Sequence, residues 1–138
     1  MNRVVLDTNI VVSAALPGSR LRLLVKAWQH GRLRLLISAD IFEEYLRVFT
    51  YPKFQLSLED IRRLLEHEVL PYAEFVKVTS RVEVIRDDLS DNAFLACALD
   101  GRADAIVSGD RHLLELRSFK GIPILTGRQF LDRLPKAD

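Results

Sequence analysis

Short apolar stretches alternate with longer segments of helical periodicity along this chain. Aliphatic runs that lead into polar residues predict strands, and apolar residues recurring three or four positions apart predict helices. The predicted strands are 3–7, 32–38, 73–80, 105–110 and 122–127. The predicted helices are 9–16, 19–30, 39–51, 57–70, 91–101, 111–119 and 127–134. This alternation predicts an α/β fold with a short central parallel sheet between two layers of helices.

Proline, glycine and capping residues support the predicted helix ends. Pro17 and Gly18 separate the first two helices, and the third helix ends before Pro52. Ser57, followed by acidic residues, is a typical N-cap, and Gly101 is a typical helix terminator. No linker, repeat or low-complexity segment interrupts the 138 residues, so we expect one domain over 1–138.

Composition narrows the class of protein only slightly. The net charge is +1, so bulk charge neither indicates nor excludes a polyanionic partner. The single cysteine, Cys97, cannot form an internal disulfide and lies in an apolar run, as in proteins of reducing compartments. No apolar run approaches the ~20 residues that span a bilayer, and Asp7 interrupts the apolar start of the chain. We therefore expect a cytoplasmic protein without membrane association.

Two aspartates end predicted strands. Asp7 ends the first strand, and Asp110 ends the strand over 105–110. In a parallel sheet both side chains lie at the same edge, beyond the carboxyl ends of the strands, where such sheets bind ligands. Each aspartate has an alternative role as the N-cap of the helix that follows it.

Helical geometry adds two further acids. In the helix over 39–51, Glu43 falls opposite the apolar arc, whereas Glu44 falls at its edge and can reach inward. Alternatively, Glu44 is a boundary residue with a buried stem and a solvated head. Asp91 lies in line with the apolar stripe of its helix, or else compensates the helix dipole. Asp87 and Asp88 precede that helix, and a solvated loop position is favoured for Asp87.

Clustered carboxylates repel one another, and a hard divalent cation relieves the repulsion. The candidate ligands are Asp7, Glu44, Asp91 and Asp110. Oxygen-only ligands suit Mg²⁺ or Mn²⁺, and the sequence has no Cys/His cluster suited to zinc. Such a site suits phosphoryl chemistry, since the metal lowers the pKa of a bound water and neutralises charge on a phosphate.

Three polar residues beside these acids are candidates to orient ligands or substrate. Thr8, Asn9 and Ser108 can act in this way, or they serve in turns and helix caps. The histidines are scattered; His112, two residues after Asp110, either contacts a phosphate or is simply exposed.

The sequence resembles the PIN-domain ribonucleases, specifically the toxins of toxin–antitoxin pairs (VapC-like). "VVLDTNIVVSAAL" resembles the opening of the family, with its first catalytic acid at Asp7 and its asparagine at Asn9. "IFEEYLRVFTYPKF" resembles the second element and places the family's glutamate at Glu44. "DDLSDNAFLACALDGRADAIVSGDRHLL" resembles the rest, with acids at Asp91 and Asp110. The four elements occur in order and cover nearly the whole chain.

This resemblance implies a three-layer α/β/α fold and a metal-dependent ribonuclease. It implies Mg²⁺- or Mn²⁺-dependent hydrolysis of phosphodiester bonds in single-stranded RNA, a homodimer, and inhibition by a cognate antitoxin protein. Many relatives carry another acid at the position of His112. With a histidine in place of that acid, the resemblance does not imply that a second metal ion is held tightly.

Two alternative functions stay open. A non-catalytic RNA- or protein-binding module could use the same fold, although the intact set of acids argues against it. A phosphate-accepting enzyme would want a second aspartate at Asn9, where it supplies a general acid. A basic rim for RNA could be formed by Arg20, Arg22, Lys26, Arg32 and Arg34, but an ordinary solvated face is the favoured interpretation.

Apolar neighbours indicate roles for two aromatic residues and for one helical segment. Trp28 and Tyr45 could stack bases, but their helical spacing favours the core. The segment "LRLLVKAW" could serve a dimer or antitoxin contact.

Overall fold

A six-stranded sheet lies at the centre of the molecule. The computed structural model describes residues 2–16, 18–85 and 89–134. Its strands are β1 (Asn2–Leu6), β2 (Leu33–Ile37), β3 (Ala73–Phe75), β4 (Ala105–Val107), β5 (Ser118–Phe119) and β6 (Ile122–Leu125). Its α-helices are α1 (Thr8–Ala15), α2 (Arg22–Gln29), α3 (Ala39–Phe49), α4 (Leu58–Arg63), α5 (Leu89–Asp100), α6 (Arg111–Leu116) and α7 (Gly127–Arg133). The predicted α/β class with a short central parallel sheet is confirmed, and the one antiparallel strand among the described residues, β5, was not predicted.

The strand order is β3-β2-β1-β4-β6-β5, and only β5 runs antiparallel to its neighbour. From β1 the chain builds outward through β2 to β3, and it then returns to place β4 on the other side of β1. Val4 accordingly pairs with Leu35 on one side and Ala105 on the other. This reversal makes the carboxyl ends of β1 and β4 the switch point of the sheet, where open α/β sheets bind ligands.

The central strand is buried on both faces. Val4, Val5 and Leu6 are inaccessible to solvent, because helices cover both sides of a parallel sheet. Trp28 and Tyr45 are also buried, so their predicted place in the core is confirmed.

Several predicted boundaries were wrong by a few residues. The first strand ends at Leu6, one residue before Asp7, and β4 ends at Val107, three residues before Asp110. Both aspartates instead occupy the N-cap positions of the following helices, because the chain leaves the ladder to begin a helix there. β3 stops at Phe75 instead of residue 80, since its partner β2 ends at Ile37 and leaves nothing further to pair.

The predicted helix over 57–70 changes its winding part-way along. After α4 the chain forms a π-helical segment, Leu64–Val69, and then a 3-10 turn, Leu70–Tyr72. The carbonyl of Glu68, within the π-helical segment, accepts a hydrogen bond of 2.7 Å from Trp28 Nε1. The wider winding thus gives a buried indole N–H its acceptor.

Among the helices of the described segments, none is long and apolar enough to cross a bilayer. Asp87 and Asp88 lie outside the described residues.

Candidate active site

The four predicted acids line one cleft at the carboxyl edge of the sheet. The cleft has a volume of about 60 Å³. Its walls are formed by Asp7, Thr8, Asn9, Glu44, Val48, Asp91, Phe94 and Asp110. The fold therefore brings together acids that the strand ends and helix faces predicted at one edge, although Asp7 and Asp110 are more than 100 positions apart in the sequence. The apolar wall residues Val48 and Phe94 were not predicted as part of the site.

Asp7 lies at the bottom of the cleft and is only 3% exposed. Its Oδ1 accepts a hydrogen bond of 3.1 Å from the backbone N–H of Ile10, so it caps α1, and its Oδ2 accepts one from the Ser108 hydroxyl. Burial raises the pKa of Asp7, and the nearby charge of Asp110 adds to the rise. The hydrogen bonds from Ser108, Ile10 and Gly109 oppose the rise without cancelling it.

Ser108 connects Asp7 to Asp110. Its fully buried hydroxyl donates to Asp7 and accepts a hydrogen bond of 2.9 Å from the backbone N–H of Asp110. The Asp110 carboxylate in turn accepts a bond of 2.7 Å from the N–H of His112 and caps α6. The capping role and the place in the cleft therefore coexist in both Asp7 and Asp110.

Glu44 reaches the cleft from α3; the helix is anchored to the sheet beside it, and its carboxylate is paired with Arg47. The neighbouring Tyr45 hydroxyl donates a hydrogen bond of 2.6 Å to the carbonyl of Leu6, the residue before Asp7. This bond ties α3 to the end of β1. On the solvent side, Arg47 donates to both carboxylate oxygens of Glu44, with a shortest contact of 2.7 Å. The sequence analysis missed Arg47, although its i,i+3 spacing from Glu44 is a recognisable ion-pair signal.

Asp91 lies in the first turn of α5 and is 4% exposed. The next residue, Asn92, is also buried and fixes the approach to this helix. Its side-chain oxygen accepts from the N–H of Ile85 at 2.9 Å, and its amide donates to the Ile85 carbonyl at 2.7 Å. Sequence reasoning missed Asn92, because its role depends on a loop contact that has no periodic signal.

The remaining candidates lie at different depths. Thr8 is buried in the cleft wall, and its Oγ1 has no hydrogen-bond partner among the described residues. Asn9 is exposed at the rim. His112 is partly buried and is not among the residues that line the cleft; its backbone N–H serves Asp110.

The side chains of the cleft fit a hard cation in their chemistry. The polar side chains that line the cleft are carboxylates, a hydroxyl and an amide, whose oxygen atoms can ligate a metal; no thiol or imidazole of the described residues lines it. No basic side chain of the described segments lies within ion-pair distance of Asp7 or Asp110, and the Thr8 hydroxyl is unsatisfied. Within those segments, no three acidic, histidine or cysteine side chains already converge as a metal cluster.

Comparison with known proteins gives one match. A protein-family model described as a PIN domain matches residues 3–112. No curated protein matches the sequence.

Proposed function

The chain belongs to the PIN domain family, and from this membership we propose that it is a metal-dependent endoribonuclease acting on single-stranded RNA. Domains of this family are typically nucleases and generally use divalent metals. The observation that carries the proposal is the cleft in which Asp7, Glu44, Asp91 and Asp110 meet at the switch point of the sheet.

Asp7, Asp91 and Asp110 are the proposed direct ligands of Mg²⁺ or Mn²⁺. Glu44 either ligates the ion or holds a water bound to it. When bound, the ion supplies a water of lowered pKa and neutralises charge on the scissile phosphate. Ionised Asp7 is costly in its buried position, so a cation there removes an unfavourable charge.

The surrounding polar groups are proposed to orient the carboxylates and the substrate. Ser108 fixes the direction of Asp7 Oδ2 and holds the backbone of Asp110 at the same time. Thr8, whose buried hydroxyl has no hydrogen-bond partner among the described residues, and the exposed Asn9 line the same cleft.

Cleavage of labelled single-stranded RNA with Mg²⁺ or Mn²⁺ tests this function. We expect Asp7→Asn to lower the rate about 10³-fold, because one carboxylate charge at the metal is lost. Glu44→Gln should also lower the rate, whereas Glu43→Gln, a matched change at the neighbouring exposed residue, should not. Chelation of divalent ions should abolish cleavage by the wild type.

Cleavage that survives chelation, or equal activity of wild type and Asp7→Asn, would contradict the proposal. A non-catalytic module predicts a different result, namely RNA or protein binding that ignores metal and survives Asp91→Asn.

We further propose that the enzyme is the toxin of a toxin–antitoxin pair, acting in the cytoplasm as a homodimer. The resemblance of the four sequence elements to such toxins supports this role. Induced expression in a bacterial host should arrest growth, and Asp7→Asn should relieve the arrest. Co-expression of the protein encoded next to this gene should relieve it as well, and sedimentation should give the mass of a dimer.

A further inference from the structure

We infer that a basic groove between α2 and α7 binds the backbone of the RNA strand that enters the acidic cleft. This inference rests on the proposed function and adds the path of the substrate across the surface. The groove has a volume of about 770 Å³. Arg20, Arg22, Lys26 and Arg128 line it, against a single carboxylate, Asp132.

These cations are available to an external anion. None of the four makes an ion pair with a described acidic residue, and Arg20, Lys26 and Arg128 are exposed. Arg22 differs from the others, since its guanidinium donates to the carbonyls of Ala14 and Ala15 at the end of α1. Arg22 therefore shapes the groove, and the other three cations supply its free positive charge.

The groove is connected to the cleft through the packing of α7 against the start of α1. Gly127 begins α7 at the carboxyl end of β6, and a Cβ there would lie 2.7 Å from Leu21 Cδ2 and 3.7 Å from Ile10 Cδ1. The N–H of Ile10 is bonded to Asp7. Leu21, which lines the groove, and Ile10, which is bonded to Asp7, therefore both pack against Gly127 at the start of α7.

The acids of the cleft, together with this packing connection, favour a nucleic acid over other anionic occupants of the groove. Four carboxylates repel the phosphates of an RNA strand, so a substrate that reaches them needs compensating positive charge close by. The overall net charge of +1 does not supply that attraction, whereas a local cluster of cations does. The apolar floor, where Leu23 is 54% exposed, can contact sugars and bases without sequence preference.

Binding of a fluorescent single-stranded RNA of about twelve nucleotides, long enough to leave the cleft, tests the groove directly. The test is made in the cleavage-impaired Asp7→Asn protein with Mg²⁺ present. The triple variant Arg20→Gln, Lys26→Gln, Arg128→Gln should weaken binding at least about tenfold. Its slope of log K against log salt should fall by about 2, since each phosphate contact on a single strand contributes about 0.7.

A matched triple variant separates the groove from net charge. Lys53→Gln, Arg62→Gln and Arg81→Gln remove three exposed charges elsewhere, and binding should change less than about threefold. In the active protein, the groove variant should lower kcat/KM for the long strand but not for a trinucleotide that fills the cleft alone. Thermal melting of both triple variants checks that they are folded.

Two results would overturn the groove assignment: equal weakening in the two triple variants, or unchanged RNA binding in the groove variant. Loss of binding to a poly-glutamate peptide, with RNA binding intact, would assign the groove to an acidic protein partner and also overturn it. The groove assignment and the proposed nuclease function would be refuted by different results. A wild type that binds RNA through the groove without cleaving it would refute the nuclease, whereas equal cleavage of the long strand by the groove variant would refute only the groove.

Discussion

The two edges of the sheet both carry carboxylates, but the protein surrounds those carboxylates differently. Near the amino end of β1, Arg3 donates to both oxygens of Glu74 on the outer strand β3, at 3.0 and 2.7 Å, and to the Gly101 carbonyl. The backbone N–H of Arg3 bonds Asp104 at 2.8 Å. The hydrogen bond and charge of Arg3 lower the pKa of Glu74.

At the carboxyl edge, Asp7 has the opposite environment. It is more buried than Glu74, its partners are a hydroxyl and a backbone N–H, and burial raises its pKa. Glu44 is intermediate, since Arg47 pairs with it from the solvent side. Glu74 is thus paired with a cation of the chain itself, whereas Asp7 accepts hydrogen bonds from neutral groups.

The largest expected effect compares Asp110→Asn with Asp104→Asn. Asparagine caps helices as well as aspartate, so Asp110→Asn should stay folded and lose about 10³-fold in cleavage rate, about 4 kcal/mol in transition-state stabilisation. Asp104→Asn, at the amino edge, should keep the wild-type rate. RNA cleavage at saturating Mg²⁺ measures both, and equal losses would show that the two edges do not differ in function.

Arg3→Gln should affect stability without affecting chemistry. Loss of its charge-assisted hydrogen bonds to Glu74 should lower the free energy of unfolding by about 2 kcal/mol. Arg34→Gln, on the neighbouring strand and exposed, is the control and should change it little. Urea denaturation measures the difference, and a changed Mg²⁺ dependence of cleavage in Arg3→Gln would break the proposed division of roles.

Tyr45→Phe should have a smaller effect, on both the stability of the protein and the Mg²⁺ dependence of cleavage. Leaving the Leu6 carbonyl without its buried donor should cost about 1–2 kcal/mol of stability. As a positioning residue between Glu44 and Asp7, Tyr45 should also set the Mg²⁺ concentration for half-maximal cleavage, which rises in the variant. Tyr51→Phe, which removes a hydroxyl bonded by Arg47 at the surface, should leave both quantities near wild type. A loss of stability with unchanged metal dependence would restrict Tyr45 to the core.

The smallest effect concerns the stability of the metal-free protein. The folded pKa of Asp7 is raised above its unfolded value, so the carboxyl group favours folding below the unfolded pKa and loses that contribution as pH rises through the folded pKa. At neutral pH, Asp7→Asn should therefore be more stable than wild type, by about 1 kcal/mol or a few degrees in Tm. Melting curves from pH 4 to 8 should show the two proteins diverging as pH rises. Added Mg²⁺ should raise the Tm of the wild type only; a variant less stable than wild type at neutral pH would contradict this account of Asp7.

The sequence predicted the elements that have a periodic pattern of apolar residues, and it did not predict features that depend on single contacts. The buried strand before Asp7 and the periodic helix containing Glu44 have strong patterns, and both were predicted. β5, with two residues, is too short for any periodicity, and the π-helical segment 64–69 has the same apolar spacing as an α-helix at its start.

The candidate site shows the same division. Strand ends and helix faces sufficed to bring Asp7, Glu44, Asp91 and Asp110 to one edge. The bond from Tyr45 to the Leu6 carbonyl could not be predicted, since it joins residues 39 positions apart through a backbone acceptor.

The outermost strands of the sheet limit how molecules of this protein can meet. β3 has three residues and β5 has two, so each side of the sheet offers only a few backbone groups to an incoming strand. Phe75, at the end of β3, is exposed, but the ladder beside it is too short to template a neighbour. A continuous intermolecular sheet, the first step toward fibrous aggregation, is therefore disfavoured by these short outer strands.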